Sequence, residues 1–394
     1  MHSSNRPPLY LMERQTVERR LHPCEIEYLL EHHRDHLSFA PTRQRHVWRI
    51  TTGGHVGVLH TPLRRIIVSA KIPLVNLLYL IDPDTDPKLI RDPATPGQGQ
   101  EVLDLFALLL AQRMQQRAAA GLHRAYRQRH ASGQVLLGRL DLPTQLRQAP
   151  GRHNQLHCQF DDLTDELPCH LIPRRLATVL ARSSLISDAV QAQLRQALSG
   201  FAHLPDESLD VQAVEQLRRQ PLPSEYQSLR EVCLLLAEQL APDSADRRQS
   251  SGLLLSLERL FERFLGRLLQ QTFREQDEVT VSLQRDFTAG DLTLRPDVSI
   301  ERNGGSIVVI DAKWKRLGQT PNPEDLYQAL SYAVLLGGRT AMLIYPGGRR
   351  RSWCHAAPCG RTVEARTLRV TGSLEQCRRS ARRLGREIRQ LVRR

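Results

Sequence analysis

Lysine is almost missing from this 394-residue chain: of its 55 basic residues only Lys71, Lys88, Lys313 and Lys315 are lysines. Long apolar runs are missing too. The longest, near residues 72–81, falls far short of the ~20 residues that span a bilayer, which argues against a membrane protein. Residues 1–23 are polar and charged, unlike a secretory signal, so a cytoplasmic location is expected. The seven cysteines are odd in number and include no CxxC pair. Reduced core or surface thiols fit that pattern better than a disulfide framework or a zinc site; Cys354-His355 with Cys359 lacks a second ligand pair. No GxxxxGK[ST] sequence occurs, so the chain supplies no P-loop nucleotide site of its own. Internal repeats and low-complexity tracts are also absent.

What is present is a soluble-protein composition, 40% hydrophobic and 25% charged, in a chain long enough for two cores. The net charge is +13, and it is concentrated. From Arg349 onward fourteen arginines face only Glu364, Glu375 and Glu387, a local excess of eleven. Such a block is the footprint of a polyanion partner, or else a solvated helix face. The lysines are as unevenly placed. Two of four lie within three positions, Lys313 and Lys315, in a chain that otherwise writes arginine. A compact ammonium does work that a guanidinium cannot, which makes that neighbourhood the candidate for chemistry.

Along the chain, residues 46–70 alternate around Gly53-Gly54 and predict a small antiparallel β unit. Residues 82–100 read as loop and 102–117 as an amphipathic helix. Strands are expected at 134–141 and 155–160, and helices at 171–199 and 224–240. The polar stretch 241–250 marks the expected boundary between an N-terminal partner-docking domain, 1–245, and a second domain, 246–394. The second domain reads as a helix at 253–269, strands at 278–286, 292–301 and 306–311, a helix at 323–336, a strand at 340–345 and a final helix from 373. The predicted class is α/β: an α+β N-terminal domain, then a mixed central sheet flanked by helices.

Pro296-Asp297 falls in the expected strand 292–301, and the apolar run 307–310 leads directly into Asp311-Ala312-Lys313. On neighbouring strands, both carboxylates and the ammonium would meet at one sheet end, because Asp311 and Lys313 share a face. Two aspartates suit Mg²⁺, with Mn²⁺ as an alternative. A bound metal would polarise a phosphoryl oxygen and acidify a water, and Lys313 would hold that water and stabilise developing charge. Glu262, on the helix 253–269, is a third candidate metal carboxylate, with Glu258 one turn earlier competing. Gln328 and Tyr332 share a helix face and would orient Lys313 or touch a phosphate. Each part alone has a bland reading as turn, solvated charge or core. Together they predict a metal-dependent nuclease of the PD-(D/E)xK type, with Asp297, Asp311, Lys313, Glu262 and Gln328 catalytic and Asp297, Asp311 and Glu262 on the metal.

These residues resemble the McrC family, the nuclease subunit of McrBC modified-cytosine restriction systems. The resemblance rests on Leu260-Phe-Glu262, Arg295-Pro-Asp297, Asp311-Ala-Lys-Trp-Lys315 and Asp325-Leu-Tyr-Gln328 with Tyr332. Upstream, Val68-Ser-Ala-Lys-Ile72, Gly121-Leu-His-Arg-Ala-Tyr126 and Leu137-Gly-Arg-Leu140 echo further family elements in order. The chain departs from the family at Ala70, where proline is common, and at His170-Leu171, where an Asn-Arg pair is favoured. The resemblance implies an endonuclease subunit acting on double-stranded DNA, docked on a ring of a McrB-like GTP-driven AAA+ motor whose GTPase it stimulates. The motor, not this chain, would read 5-methylcytosine. Two alternatives stay open: a stand-alone repair or recombination nuclease, and a non-catalytic assembly or activator subunit. The basic last helix, with Arg378, Arg382, Arg386 and Arg389, is a candidate phosphate contact.

Overall fold

The structure is a computed structural model that describes residues 6–87, 99–148, 155–206, 211–240, 252–289, 292–303 and 305–393. Met1–Leu103 and Gln249–Arg394 together form one compact unit, and Asp104–Arg248 forms the other. The expected division at residue 245 is therefore corrected. The second stretch begins about where the sequence suggests, but the first hundred residues belong with it rather than with residues 104–248.

A misread apolar tripeptide explains the difference. Leu253, Leu254 and Leu255 lie in the strand Gly252–Ser256, which pairs antiparallel with His55–His60, and not in the first turn of a helix. All three leucines are buried. A short continuous apolar run suits a fully buried strand as well as a helix, and pairing with distant residues decides between them. Gly57 makes the pairing possible: its φ is +146°, and a Cβ there would stand 2.0 Å from the Leu253 carbonyl oxygen. The helix proper is Leu257–Phe273, capped where the Ser256 hydroxyl accepts the Arg259 N–H.

This strand completes a four-stranded sheet ordered Leu9–Met12, Arg65–Ser69, His55–His60, Gly252–Ser256. A three-stranded sheet of Thr16–Arg20, Val47–Thr52 and Leu37–Pro41 lies beside it in sequence. The expected unit at 46–70 is thus split. His55–His60 and Arg65–Ser69 form the hairpin, whereas Val47–Thr52 pairs elsewhere. One core, including Leu11, Leu29, Ile50, Ile66, Val68 and Leu254, draws on both sheets.

The same unit holds a six-stranded mixed sheet, ordered Val279–Leu283, Val298–Arg302, Gly305–Ala312, Thr340–Gly347, Thr362–Arg369, Ser352–Ala356. The last two strands extend the expected order. In Thr362–Arg369 the buried Val363, Ala365 and Leu368 are small or interleaved with Arg366 and Arg369, which hides the alternation. The helix Pro323–Leu335 starts at Asn322, whose side chain accepts the Glu324 N–H. It covers the sheet face carrying Ala341, Leu343, Tyr345, Val363 and Ala365. Helix Leu374–Arg393 buries Cys377, Ala381, Leu384, Ile388 and Val392 at three- and four-residue spacing. It packs on Leu257–Phe273 and on Thr362–Arg369.

In the other unit, Ala125–Gly133, Leu156–Thr164 and Arg139–Leu140 form a three-stranded antiparallel sheet. The single helix expected over 171–199 is two, Pro168–Leu180 and Asp188–Ser199. His170, where the family favours a polar pair, is fully buried: its Nδ1 donates to the Asp165 carbonyl at 2.7 Å and its Nε2 accepts from the Tyr226 hydroxyl at 3.0 Å. Burial lowers its pKa and keeps the ring neutral. Val135, Leu136, Leu137, Leu142 and Leu146 are exposed in this unit. Among the described residues no helix is long and apolar enough to cross a membrane.

Candidate active site

The candidate site lies at one end of the six-stranded sheet. Pro296 interrupts the strand expected over 292–301, leaving Leu292–Leu294 in a hairpin with Phe287–Ala289 and restarting as Val298–Arg302. Asp297 sits at that restart. Val298 pairs with Ile310, so one further step of the antiparallel register sets Asp297 opposite Asp311. The link is direct: Asp297 Oδ2 accepts the Ala312 N–H at 2.7 Å. Asp311 lies near the end of the buried strand Gly305–Ala312 and is only 5% exposed.

Lys313 follows on the same face. Its Nζ lies 2.6 Å from Asp311 Oδ2 and donates to Gln328 Oε1 at 2.8 Å. Gln328 in turn donates from Nε2 to the Tyr332 hydroxyl at 3.0 Å, and that hydroxyl faces the Arg295 carbonyl at 3.4 Å. The QxxxY pair thus ties the lysine to the Arg-Pro-Asp segment. The bidentate Arg295–Asp286 pair, with Nη2 to Oδ2 at 2.6 Å, braces that segment from outside.

Of the two helix glutamates, Glu262 belongs to the cluster and Glu258 does not. Glu258 is exposed and pairs with Arg14. Glu262 is partly buried, accepts from Gln284 Nε2 at 3.2 Å, and feels the charge of Asp311. Gln284 also donates its backbone N–H to the Asp297 carbonyl at 2.9 Å, from a left-handed backbone with φ of 45°. A non-glycine residue held there is mildly strained, as site residues often are.

Electrostatically the site is frustrated. Burial and the neighbouring Asp311 and Glu262 raise the Asp297 pKa to about 8. Burial also raises Asp311, against the pull of Lys313, and burial with Asp311 raises Glu262. Burial works against the Lys313 ammonium, but Asp311, with Asp325 and Asp297, more than offsets it and raises the pKa. Asp297 therefore holds a proton at neutral pH, which a cation would displace. A further sign points the same way. Despite the close ammonium, buried Asp311 Oδ2 has no aligned hydrogen-bond donor. Among the described residues no three His, Cys, Asp or Glu side chains close into a metal cage. Mg²⁺ does not need one, because it commonly binds through one or two carboxylates and keeps several waters. The donor set fits such an ion.

The sequence reading named Lys71, Trp314, Lys315 and Asp325 within motifs but missed Glu13, which ties the first two together. Glu13, 2% exposed, accepts the Trp314 indole N–H at 2.6 Å and the Lys71 backbone N–H at 2.9 Å. Lys71 Nζ reaches the Arg14 carbonyl at 2.9 Å. Lys315 pairs with buried Asp325 at 2.8 Å, whose other oxygen accepts from Tyr345 at 2.8 Å. Three of the four lysines therefore belong to this neighbourhood; Lys88 lies outside the described residues. The buried tryptophan between two rare lysines was the available signal, since its N–H demanded a partner.

A family model described as "McrBC 5-methylcytosine restriction system component" matches residues 50–346. The chain belongs to that McrBC family. Its fold is also similar to a chain from the refined half-complex of the tetradecameric assembly of Thermococcus gammatolerans McrB AAA+ hexamers with bound McrC. That match has a TM-score of 0.52 at 14% identity and covers 96% of this chain and 100% of that one. A chain of the cryo-EM Thermococcus gammatolerans McrBC complex matches with a TM-score of 0.41 at 16% identity, over 69% of this chain and 90% of that one. No curated protein matches by sequence. All five candidate site residues, Asp297, Asp311, Lys313, Glu262 and Gln328, lie in the segment that the McrBC model covers.

Proposed function

We propose that this McrBC component is the DNA-cleaving subunit of its restriction system, a metal-dependent endodeoxyribonuclease that docks on a GTP-driven AAA+ partner. The observation that carries the reading is Asp297 facing Asp311 across adjacent strands, with Lys313 reaching back to Asp311. Asp297 and Asp311, supported by Glu262, would hold Mg²⁺ or Mn²⁺. Such an ion, when bound, polarises the phosphoryl oxygen and acidifies a water.

The remaining work falls to the chain. Lys313, kept cationic by Asp311, is placed to hold the attacking water and to stabilise negative charge building on the phosphate. Gln328, steadied by Tyr332, fixes the ammonium and limits its rotamers. Glu262 and Gln284 hold the Asp297 side of the cluster. An aligned cluster of this kind hydrolyses a phosphodiester with no covalent intermediate on the protein.

Partner docking is supported by McrC being bound to McrB AAA+ hexamers in the assembly that contains the chain of similar fold. It is also supported by the exposed Val135, Leu136, Leu137, Leu142 and Leu146, apolar surface of the kind a partner covers. The basic last helix is a weaker DNA contact than its composition suggests. Arg378 lies over the Tyr79 ring and Arg389 donates to the Thr272 carbonyl, which leaves Arg382 and Arg386 exposed.

The test separates cutting from docking. Asp311→Ala is expected to abolish cleavage of methylated duplex while leaving stimulation of the partner's GTPase intact. Unimpaired cleavage would reject the assigned site, and loss of both activities would reject the division of labour.

A further inference from the structure

The arginines of the C-terminal block do not simply coat a helix. Arg349, Arg350, Arg369, Arg379 and Arg383 line a cavity of about 320 Å³ together with Gln376. Five guanidinium groups around one hollow repel each other, and no carboxylate lines it. Two acidic residues reach in from the side: Glu387 meets Arg350 at 3.1 Å and Arg383 at 3.7 Å, and Glu375 meets Arg379 at 3.7 Å. Among the described residues no ion pair reaches Arg349 or Arg369. Three positive charges therefore stay uncompensated. An anion entering the hollow relieves that repulsion. Guanidinium forks match the paired oxygens of a phosphate better than any other side chain.

The cavity's place on the sheet says which phosphate. Gly305–Ala312, Thr340–Gly347 and Thr362–Arg369 run parallel, so their C-terminal ends share one edge. Asp311 is in register with Leu343, and the cavity lies at the level where Gly347 pairs with Arg369. Two strand spacings across and four residues along put the cavity ~16 Å from Asp311. That is about half a turn of B-DNA, whose full turn spans about 34 Å.

We propose that this cavity holds a backbone phosphate of the duplex being cut, about half a helical turn from the scissile bond, and so sets the strand's register over Asp297 and Asp311. The assignment rests on the DNA-cleaving role given above. The ligand is a phosphodiester read by charge and shape, with no base specificity. Arg351 holds the lining loop by donating to the Leu317 and Gly318 carbonyls at 3.1 and 3.2 Å, just beyond the Lys313–Lys315 segment. The loop beside the cavity is thereby tied to the stretch that follows Lys315.

The experiment uses the full chain, a fluorescent duplex several turns long, and anisotropy titrations over a range of KCl without divalent metal. Arg349→Ala with Arg379→Ala should lower affinity about tenfold and reduce the slope of log K against log salt by about one, the loss of one phosphate contact. Arg218→Ala with Arg219→Ala, a charge-matched change on the helix Val211–Arg219, should leave the slope unchanged. An unaltered slope in the cavity variant while wild type binds DNA overturns the proposal alone, as does an equal change in the control. Pyrophosphate bound by wild type and lost in the variant, with the DNA slope unmoved, also overturns it in favour of a small phosphate ligand. Absence of DNA binding by wild type would remove this proposal and the nuclease reading together, whereas loss of cleavage in Asp311→Ala alone keeps the latter.

Discussion

Residues 6–87 and 252–393 build the same unit but contribute in opposite ways. The later stretch carries all the groups suited to hydrolysis, close in sequence and placed by strand register: Glu262, Asp297, Asp311, Lys313 and Gln328. The earlier stretch carries none of them and supplies anchors instead. Glu13 holds Trp314 across 301 positions of chain, Arg14 holds Glu258 across 244, and His55–His60 pairs with Gly252–Ser256. The chemistry is local and its rigidity is not. Positioning of the reacting groups draws on distant contacts as much as on the groups themselves.

The largest expected effect falls on the local half. Lys313→Arg keeps the positive charge, yet the guanidinium is bulkier and cannot sit between Asp311 and Gln328 as the ammonium does at 2.6 and 2.8 Å. Cleavage should fall by roughly two to three orders of magnitude, as for loss of a preorganised donor, with the melting temperature barely changed. Cleavage at the wild-type rate would mean that charge alone suffices there and that the tight geometry is incidental.

The distant half answers through stability. Glu13→Ala leaves the Trp314 N–H and the Lys71 N–H without their buried acceptor. The expected cost is about 2–3 kcal/mol, in the range for stranded buried donors, and it is readable as a lowered denaturation midpoint. Cleavage per folded molecule should fall as well, since Trp314 adjoins Lys313. A variant as stable as wild type would show that the N-terminal segment rests on the site without bracing it.

The same contrast explains what could be read in advance. The strand ending in Asp311, the helix carrying Gln328 and Tyr332, and the last amphipathic helix were legible because local periodicity and one apolar run define them. The placement of Asp297 opposite Asp311 followed from two adjacent strands. What escaped depends on long-range pairing. Leu253–Leu255 looks helical until His55–His60 lies against it, and Thr362–Arg369 looks like charged loop until Thr340–Gly347 and Ser352–Ala356 flank it. The arginine block was legible as charge, but not as a cavity, because its members come from a strand end, a loop and a helix.

Asp297→Asn sets the two contributions against each other. In the folded chain burial, Asp311 and Glu262 raise the Asp297 pKa to about 8, above the ordinary 3.8 that the unfolded chain keeps. Between those values the folded state holds a proton that the unfolded state releases, so this group's contribution is full below pH 3.8 and lost as pH rises through 8. Asparagine mimics the protonated acid at every pH, and its oxygen can still accept the Ala312 N–H. Without divalent metal the variant should match wild type in acid and melt several degrees higher near pH 8. Adding Mg²⁺ should raise wild type and narrow the gap, because a cation relieves in wild type what asparagine has already removed. Cleavage should be lost throughout. A variant less stable at pH 8, or a gap that ignores both pH and metal, would mean that the two facing carboxylates do not repel as their burial requires.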